Sequence, residues 1–584
     1  MNFERLPDEL LLSIYQYLSS SDVLYSFFNL NSRLNRTILT YRQHVILRLT
    51  NYLQFEYLCL NILPKIGSTI RSLSINVNWT DLLGKRFHFH FGHRMKDIFP
   101  NLEHLILVAF NGNELNDYMA SLFDLFYLKK LTIRDRYNIT DELKQSLFEQ
   151  VLSANNFRLE TISFNRHSES LTINPTNQMI YSNLIHLDIH LEKIHDLQCL
   201  WRLIPNIQRM NLVIGKEPED EIVELDQMIL MKYLIEFRIE AFRRCWNFNE
   251  VDSLIKQMPF LQQLSLDIFT QDIRLSNGEE FLSILPKNTL QKFNYCTEYE
   301  PNEYLESVDG IIASWTSTPF PVCCLFAENK NQIFLHTIPY GFSYLDVNSL
   351  FLKTMNKKNG NYNRHVQELL LFNATSLSEA CIAINCCNNI QDLAIEVDET
   401  LSITNNDKPD TKTSISLSRL NKLRWLSIDG CPTESHLLKE IINSSSNLTM
   451  FIVDMSYLLQ LIDKTDYQDC LALLTKRIRH LSIQISSDCE LSDDLIEKIS
   501  NVFLRVRYLI LESKIPNSLS VEYLLLLFFQ YFQTHPLVSV IIRGLISEQI
   551  RHNPYQWLVD NTFLSNFFGK FQTECDEIDF KIWF

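Results

Sequence analysis

One hydrophobic pattern recurs along most of the chain: an apolar residue, then apolar residues three and five positions later. Ile70/Leu73/Ile75, Leu102/Leu105/Leu107, Leu128/Leu131/Ile133, Leu159/Ile162/Phe164, Leu184/Leu187/Ile189, Ile207/Met210/Leu212, Leu234/Phe237/Ile239, Leu261/Leu264/Leu266 and Leu290/Phe293/Tyr295 make a first array. Val366/Leu369/Leu371, Ile390/Leu393/Ile395, Leu423/Leu426/Ile428, Leu448/Phe451/Val453, Ile478/Leu481/Ile483, Val506/Leu509/Leu511 and Leu537/Val540/Ile542 make a second. The last two apolar positions of each triplet alternate with other residues, the period of a strand buried on one face. The segments between them keep a helical period. Leu115, Tyr118, Met119, Leu122, Phe123 and Phe126 share one helix face, and Thr140 stands where it would cap a helix carrying Leu143, Leu147, Phe148, Val151 and Leu152. A strand and a helix of this size cannot bury their apolar faces alone, whereas stacked copies share one core. The pattern predicts an α/β fold, a curved solenoid with a parallel inner sheet and outer helices, in arrays over 51–297 and 365–584. Between them, 298–364 carries Pro301, Pro319, Pro321 and Pro339 and breaks the period, as does the polar stretch 401–415. The first of these is taken as an irregular seam or insertion.

The first fifty residues follow a different pattern, that of three short helices. Pro7 suits a first turn, where its missing N–H is not needed, and Asp8 and Glu9 sit where the helix dipole favours negative charge. Leu10, Ile14 and Leu18 recur at four-residue steps, widened by Leu11 and Tyr15, for a helix over about 7–18. Ser19 to Ser21 supply a break and an N-cap to a second helix with Val23, Leu24, Phe27 and Phe28. Asn29 to Asn31 end it, and a third begins near Ser32, with Leu34, Ile38 and Val45 inward and Arg33, Arg36 and Arg42 outward. So small a bundle spends apolar residues on nearly every side, so that part of its surface is expected to meet a partner or the following repeats.

The run Leu6-Pro7-Asp8-Glu9-Leu10-Leu11, with Ile14, Leu18 and Asp22-Val23-Leu24, resembles an F-box, the module that docks on the Skp adaptor of cullin-RING ubiquitin ligases. The resemblance covers about residues 2–45, within a domain set at 1–50. It implies that Leu6, Pro7, Leu10, Ile14, Leu18 and Leu24 fall among adaptor-facing and core positions, without separating the two. It departs from many F-boxes at Asn29-Leu30-Asn31-Ser32-Arg33-Leu34-Asn35. The repeats resemble degenerate leucine-rich repeats: Leu423 to Cys431 fits L-x-x-L-x-L-x-x-C in full, and Ile139-Thr140-Asp141-Glu142-Leu143 resembles a helix start of F-box/leucine-rich-repeat proteins. Most copies lack the consensus Asn or Cys, so the usual hydrogen-bond ladder is expected to be missing. An F-box before such repeats resembles the substrate receptor of an SCF-type ubiquitin ligase. That implies two partners, a Skp-type adaptor and a protein substrate.

Composition sharpens this by exclusion. The chain has 584 residues and only 12 glycines, about 2% against a usual share of roughly 7%. The closest pair, Gly84 and Gly92, is too far apart for a phosphate loop, a dinucleotide fingerprint or a G-x-S-x-G elbow. Short polar turns between strand–helix units need few positive-φ residues, and Asn can serve at many of those that remain. The net charge is −16 with no basic run, which argues against nucleic acid. The 13 cysteines lack C-x-x-C spacing and the first residues lack an apolar leader, the usage of a reduced, cytoplasmic or nuclear chain. The apolar run Tyr523 to Phe529 is far too short to span a bilayer and reads as a buried helix.

Between the buried positions of each strand, the intervening residues face the other side, here the concave surface. Just before the second apolar residue of each triplet stand, among others, Lys130, His104, His186, Arg209, Trp425, His480 and Tyr508. Of these His104, His186, Arg209, Trp425, His480 and Tyr508 are the substrate-contact candidates, Trp425 and Tyr508 foremost because aromatics lead binding hot spots. Phe87-His88-Phe89-His90-Phe91-Gly92-His93 would put His88 and His90 on one strand face, yet lacks acids or cysteines nearby to complete a metal set. The adjacent cysteines 323/324 and 386/387 suit buried packing, and Glu217 to Glu224 an exposed loop. The reading calls for no catalytic residue, cofactor or metal, and for neither nucleic acid nor membrane. Its rivals are a repeat scaffold whose F-box-like cap recruits no ligase, and an enzyme with an unrecognised site.

Overall fold

The computed structural model describes residues 6–41, 43–48, 50–78, 82–135, 140–176, 178–215, 228–301, 308–327, 332–355, 365–374, 377–397, 417, 419–430, 435–463, 468–485, 492–513, 520–567 and 569–584. The chain divides into two compact units, Met1–Tyr299 and Glu300–Phe584.

The first unit opens with three helices, α1 (Asp8–Tyr15), α2 (Ser20–Phe27) and α3 (Ser32–Tyr41). Pro7 starts α1 in extended conformation, Ser19 caps α2 by accepting from the Asp22 amide at 3.0 Å, and Asn31 Oδ1 accepts from the Leu34 amide at 2.8 Å. Leu11, Tyr15, Val23, Leu24, Leu34 and Ile38 form the core. Three expectations are corrected here. Helix α1 stops at Tyr15, Val45 lies on a strand, and Arg33 turns back to Asp8 at 2.6 Å and to the Leu6 carbonyl, tying α3 to the start of α1.

Ten strands follow: β1 (His44–Leu47), β2 (Ser72–Asn76), β3 (His104–Val108), β4 (Lys130–Arg134), β5 (Thr161–Phe164), β6 (His186–Leu191), β7 (Arg209–Ile214), β8 (Glu236–Trp246), β9 (Gln263–Thr270) and β10 (Lys292–Tyr299). Each pairs in parallel with the next in sequence, and the first residues of all ten lie in one register row from His44 to Lys292. Every triplet of this array is buried except at Leu290, which is half-buried. Helices Leu82–Phe91, Gly112–Ser121, Asp141–Phe157, His195–Leu203 and Phe248–Lys256 connect strands. The strand-plus-helix rule fails between β5 and β6, where the described residues form turns and a bridge from Leu171 to Leu191. Phe123 and Phe126 lie beyond the helix that ends at Ser121 and are exposed, and Thr140 makes no side-chain capping bond.

The second unit contains helix Asp309–Thr316 and an antiparallel pair, β11 (Val322–Phe326) and β12 (Ile333–Thr337). Its parallel array is β13 (Tyr344–Asn348), β14 (Glu368–Ala374), β15 (Asp392–Val397), β16 (Trp425–Asp429), β17 (Met450–Asp454), β18 (His480–Ile485), β19 (Tyr508–Ser513) and β20 (Ser539–Arg543), again in sequential order. Strand β13 lies inside the stretch taken as a seam, so the second array starts about twenty residues before 365. Two strands then reverse direction: β22 (Asp579–Trp583) runs antiparallel to β20, and β21 (Gln572–Cys575) antiparallel to β22. Helix Val521–Tyr531 buries Leu524, Leu525, Leu527, Phe528 and Phe529, as the apolar run predicts. The polar stretch 401–415, Cys431 and Glu217 to Glu224 lie outside the described residues. Among the described residues no helix is long and apolar enough to cross a membrane.

An asparagine ladder of another kind links the turns before the strands. Asn101, Asn183, Asn206 and Asn447 each precede the first apolar residue of a triplet, and each side-chain amide donates to a backbone carbonyl of the preceding turn, at 2.7, 2.9, 2.9 and 2.5 Å. Asparagine also fills special turns: Asn29, Asn155, Asn156 and Asn373 hold positive φ, while among the described glycines only Gly430 and Gly569 do.

Candidate interaction surfaces

Along α1 and the turn after it the predicted stripe splits. Leu11 and Tyr15 point to the core, whereas Leu10 is 50% and Leu18 37% exposed. Leu6 and Ile14 are half-buried and Pro7 exposed, while Leu24 is 1% exposed and belongs to the core of the bundle rather than to its surface. Tyr17, Tyr25 and Leu30, which lie outside the F-box-like positions, add exposed apolar surface to the same bundle. Leaving such side chains in water costs burial energy of about 25 cal/mol per Å².

The second candidate surface is the sheet face opposite the buried triplets. In the first unit His104, His186 and Arg209 share one register row and reach this face, His104 and His186 half-buried and Arg209 exposed. The face is knitted by side chains. His104 Nε2 lies 3.0 Å from Thr132 Oγ1, Asn211 Nδ2 donates to Asp188 at 2.5 Å, and Asn294 Nδ2 donates to Ser265 Oγ at 2.9 Å. Ser163 Oγ donates to Asp188 Oδ2 at 2.6 Å and His186 Nε2 meets Asp188 Oδ1 at 3.1 Å. The hydroxyl is thus aligned on the carboxylate and not on the imidazole, which is not a nucleophile–base relay. Burial pushes the Asp188 carboxyl up, but the bonds from His186, Ser163 and Asn211 outweigh it and hold the group below its ordinary value.

In the second unit the same row runs Glu368, Asp392, Trp425, Met450, His480, Tyr508. Trp425 is half-exposed and available for contact. His480 and Tyr508 are not: they stack at 4.6 Å with rings 8° from parallel, and are 6% and 1% exposed. Stacking on one another removes both rings from the surface, which spacing alone could not show.

The histidine run 87–93 is helical, not extended. Phe87 and Phe91 are buried and the histidines diverge: His88 packs on Tyr118 at 5.2 Å, and His90 Nε2 meets Glu56 Oε1 at 3.1 Å. Arg86 reaches the same carboxylate. Cys323, Cys324 and Cys387 are buried and Cys386 half-buried; burial pushes the Cys386 and Cys387 thiols up, the state of packed side chains. No family model matches the chain, and no curated protein matches it.

Proposed function

We propose that the chain is a non-catalytic adaptor: its N-terminal bundle engages a Skp-type adaptor of a cullin-RING, SCF-type ubiquitin ligase, and its repeat arrays, forming a curved solenoid, hold a protein substrate. The observation that carries this reading is the face of the bundle that holds Leu10 and Leu18 in water while Leu11, Tyr15 and Leu24 complete the core. With Tyr17, Tyr25 and Leu30 also exposed, the bundle leaves apolar surface that a partner can cover, and this supports the reading. Within each unit a parallel sheet supplies a row of outward side chains, a form suited to an extended partner.

The test is capture of the full chain by a Skp-type adaptor, compared with Leu10→Asp/Leu18→Asp. Both positions are exposed, so the double variant keeps its core, and thermal melting checks this. Capture is expected to fall at least about tenfold, since two central apolar contacts are replaced by desolvated charge. Equal capture of a folded double variant would overturn the ligase reading.

A further inference from the structure

The outward face of the first unit changes character along its length. Strands β1–β4 read HVIL, SLSIN, HLILV and KLTIR and contain no aspartate or glutamate. From β6 onward basic groups meet acids: His186 with Asp188 at 3.1 Å, Arg209 with Glu236 at 3.6 Å and Arg238 with Glu240 at 2.9 Å. On β4, Lys130 and Arg134 are exposed, and among the described residues no carboxylate pairs with either. Register places Lys130 directly beside His104, with Thr132 and Arg134 two and four residues further along the same strand. His44 stands in the same row two strands from His104. In a chain of net charge −16, such a patch is a local reversal of sign.

We propose that His104, Thr132, Lys130 and Arg134 form an oxyanion-binding site for a phosphate- or carboxylate-bearing segment of a protein partner. Neighbouring strands stand about 4.8 Å apart and residues i and i+4 of one strand about 13 Å, a span that the two long side chains of Lys130 and Arg134 can bridge from its ends. The exposed ammonium and guanidinium then stand over a floor made by the half-buried His104 ring and the buried Thr132 hydroxyl it meets at 3.0 Å, and charge-assisted hydrogen bonds to an oxyanion are about twice as strong as neutral ones. Burial first, then the charges of Lys130, Arg134 and His44, hold the His104 imidazole down at about 4, so it is neutral at pH 7. The positive charge of the site comes from Lys130 and Arg134, and the neutral ring serves as part of its hydrogen-bonding floor. This inference rests on reading the repeat face as the substrate side of the adaptor.

The test measures anisotropy of labelled peptides on the full chain: an alanine-flanked serine peptide, its phosphoserine form and a tri-aspartate form. Lys130→Gln/Arg134→Gln is expected to weaken the anionic peptides at least about tenfold and to leave the neutral peptide unchanged. Lys292→Gln, in the same row at β10, is expected to have no effect. Preference for phosphoserine identifies a phosphate ester as the group read; equal binding of the tri-aspartate form identifies carboxylates, and either supports the site. Equal binding by wild type and double variant, an equal loss in Lys292→Gln, or tighter binding of a single-stranded oligonucleotide would overturn it. Adaptor capture is scored on the same proteins. Its persistence without anion binding sinks the oxyanion site alone; loss of capture in Leu10→Asp/Leu18→Asp leaves the anion assay to stand or fall by itself.

Discussion

Glu56 shows how one residue takes its meaning from packing. It lies on helix Tyr52–Tyr57, with Arg86 Nη2 at 3.1 Å from its Oε2 and His90 Nε2 at 3.1 Å from its Oε1. Burial pushes its carboxyl up, yet the hydrogen bonds and charges of Arg86 and His90 more than offset this and hold it below its ordinary 4.5. A carboxyl with a depressed folded pKa stabilises the fold above its unfolded pKa and loses that contribution as pH falls through the folded value. Urea midpoints are therefore expected to drop on acidification below about pH 4.5, and Glu56→Gln to lower the midpoint at neutral pH while flattening that acid slope. An unchanged slope would refute the assignment. None of this could be read from Phe87-His88-Phe89-His90-Phe91, because residues i and i+2 share a face in a strand but diverge on a helix. The alternation of the five residues is the strand period, so the run reads as extended although it folds as a helix.

At the scale of elements the sequence was most informative about strands and least about the connections. Three apolar positions at fixed spacing define each strand's register, which is why nearly every triplet is buried where the pattern places it. Connections obey local chemistry that spacing does not carry. The helix Gly112–Ser121 is held by a reciprocal cap: Asn111 Oδ1 accepts from the Glu114 amide at 3.0 Å, and Glu114 accepts from the Asn111 amide at 3.2 Å. Asn247 and Glu250 repeat the device on Phe248–Lys256. Asn111→Ala is expected to cost about 1 kcal/mol, with Asn111→Ser recovering most of it, measured by chemical denaturation. Equal stability of the alanine and serine variants would show that the cap does not act. The asparagines of the turn ladder were also visible in sequence, since Asn101-Leu102, Asn183-Leu184, Asn206-Ile207 and Asn447-Leu448 share one placement. They escape a search for the consensus Asn because they sit at the other end of the strand.

At the scale of the whole molecule, each array is a row of nearest-neighbour interfaces, so damage should spread along the row and fade. Trp201, fully buried on helix His195–Leu203, donates to Met210 Sδ at 3.4 Å and lies 6.4 Å from the Phe237 ring. Trp201→Ala is expected to cost about 3–5 kcal/mol, with amide exchange rising most in β6, β7 and β8 and least toward β1 and β10. Uniform loss of protection across the first unit would show instead that the array unfolds as one block. The candidate surfaces were legible in part for a related reason. Row position follows from periodicity, so His104, His186 and Arg209 were placed correctly, but exposure depends on the neighbours that cover a row, and His480 and Tyr508 cover each other.

The reversed strands at the C-terminal end set a limit on how such a protein can change in length. A parallel row grows by copying a unit and offering the next strand an edge of the same polarity, but β22 turns that edge around and β21, only four residues long, closes it. Lengthening by duplication is therefore blocked beyond β20, and at this end a new unit must enter between strands that already share a direction. The last hairpin would be carried outward unchanged, as a terminator.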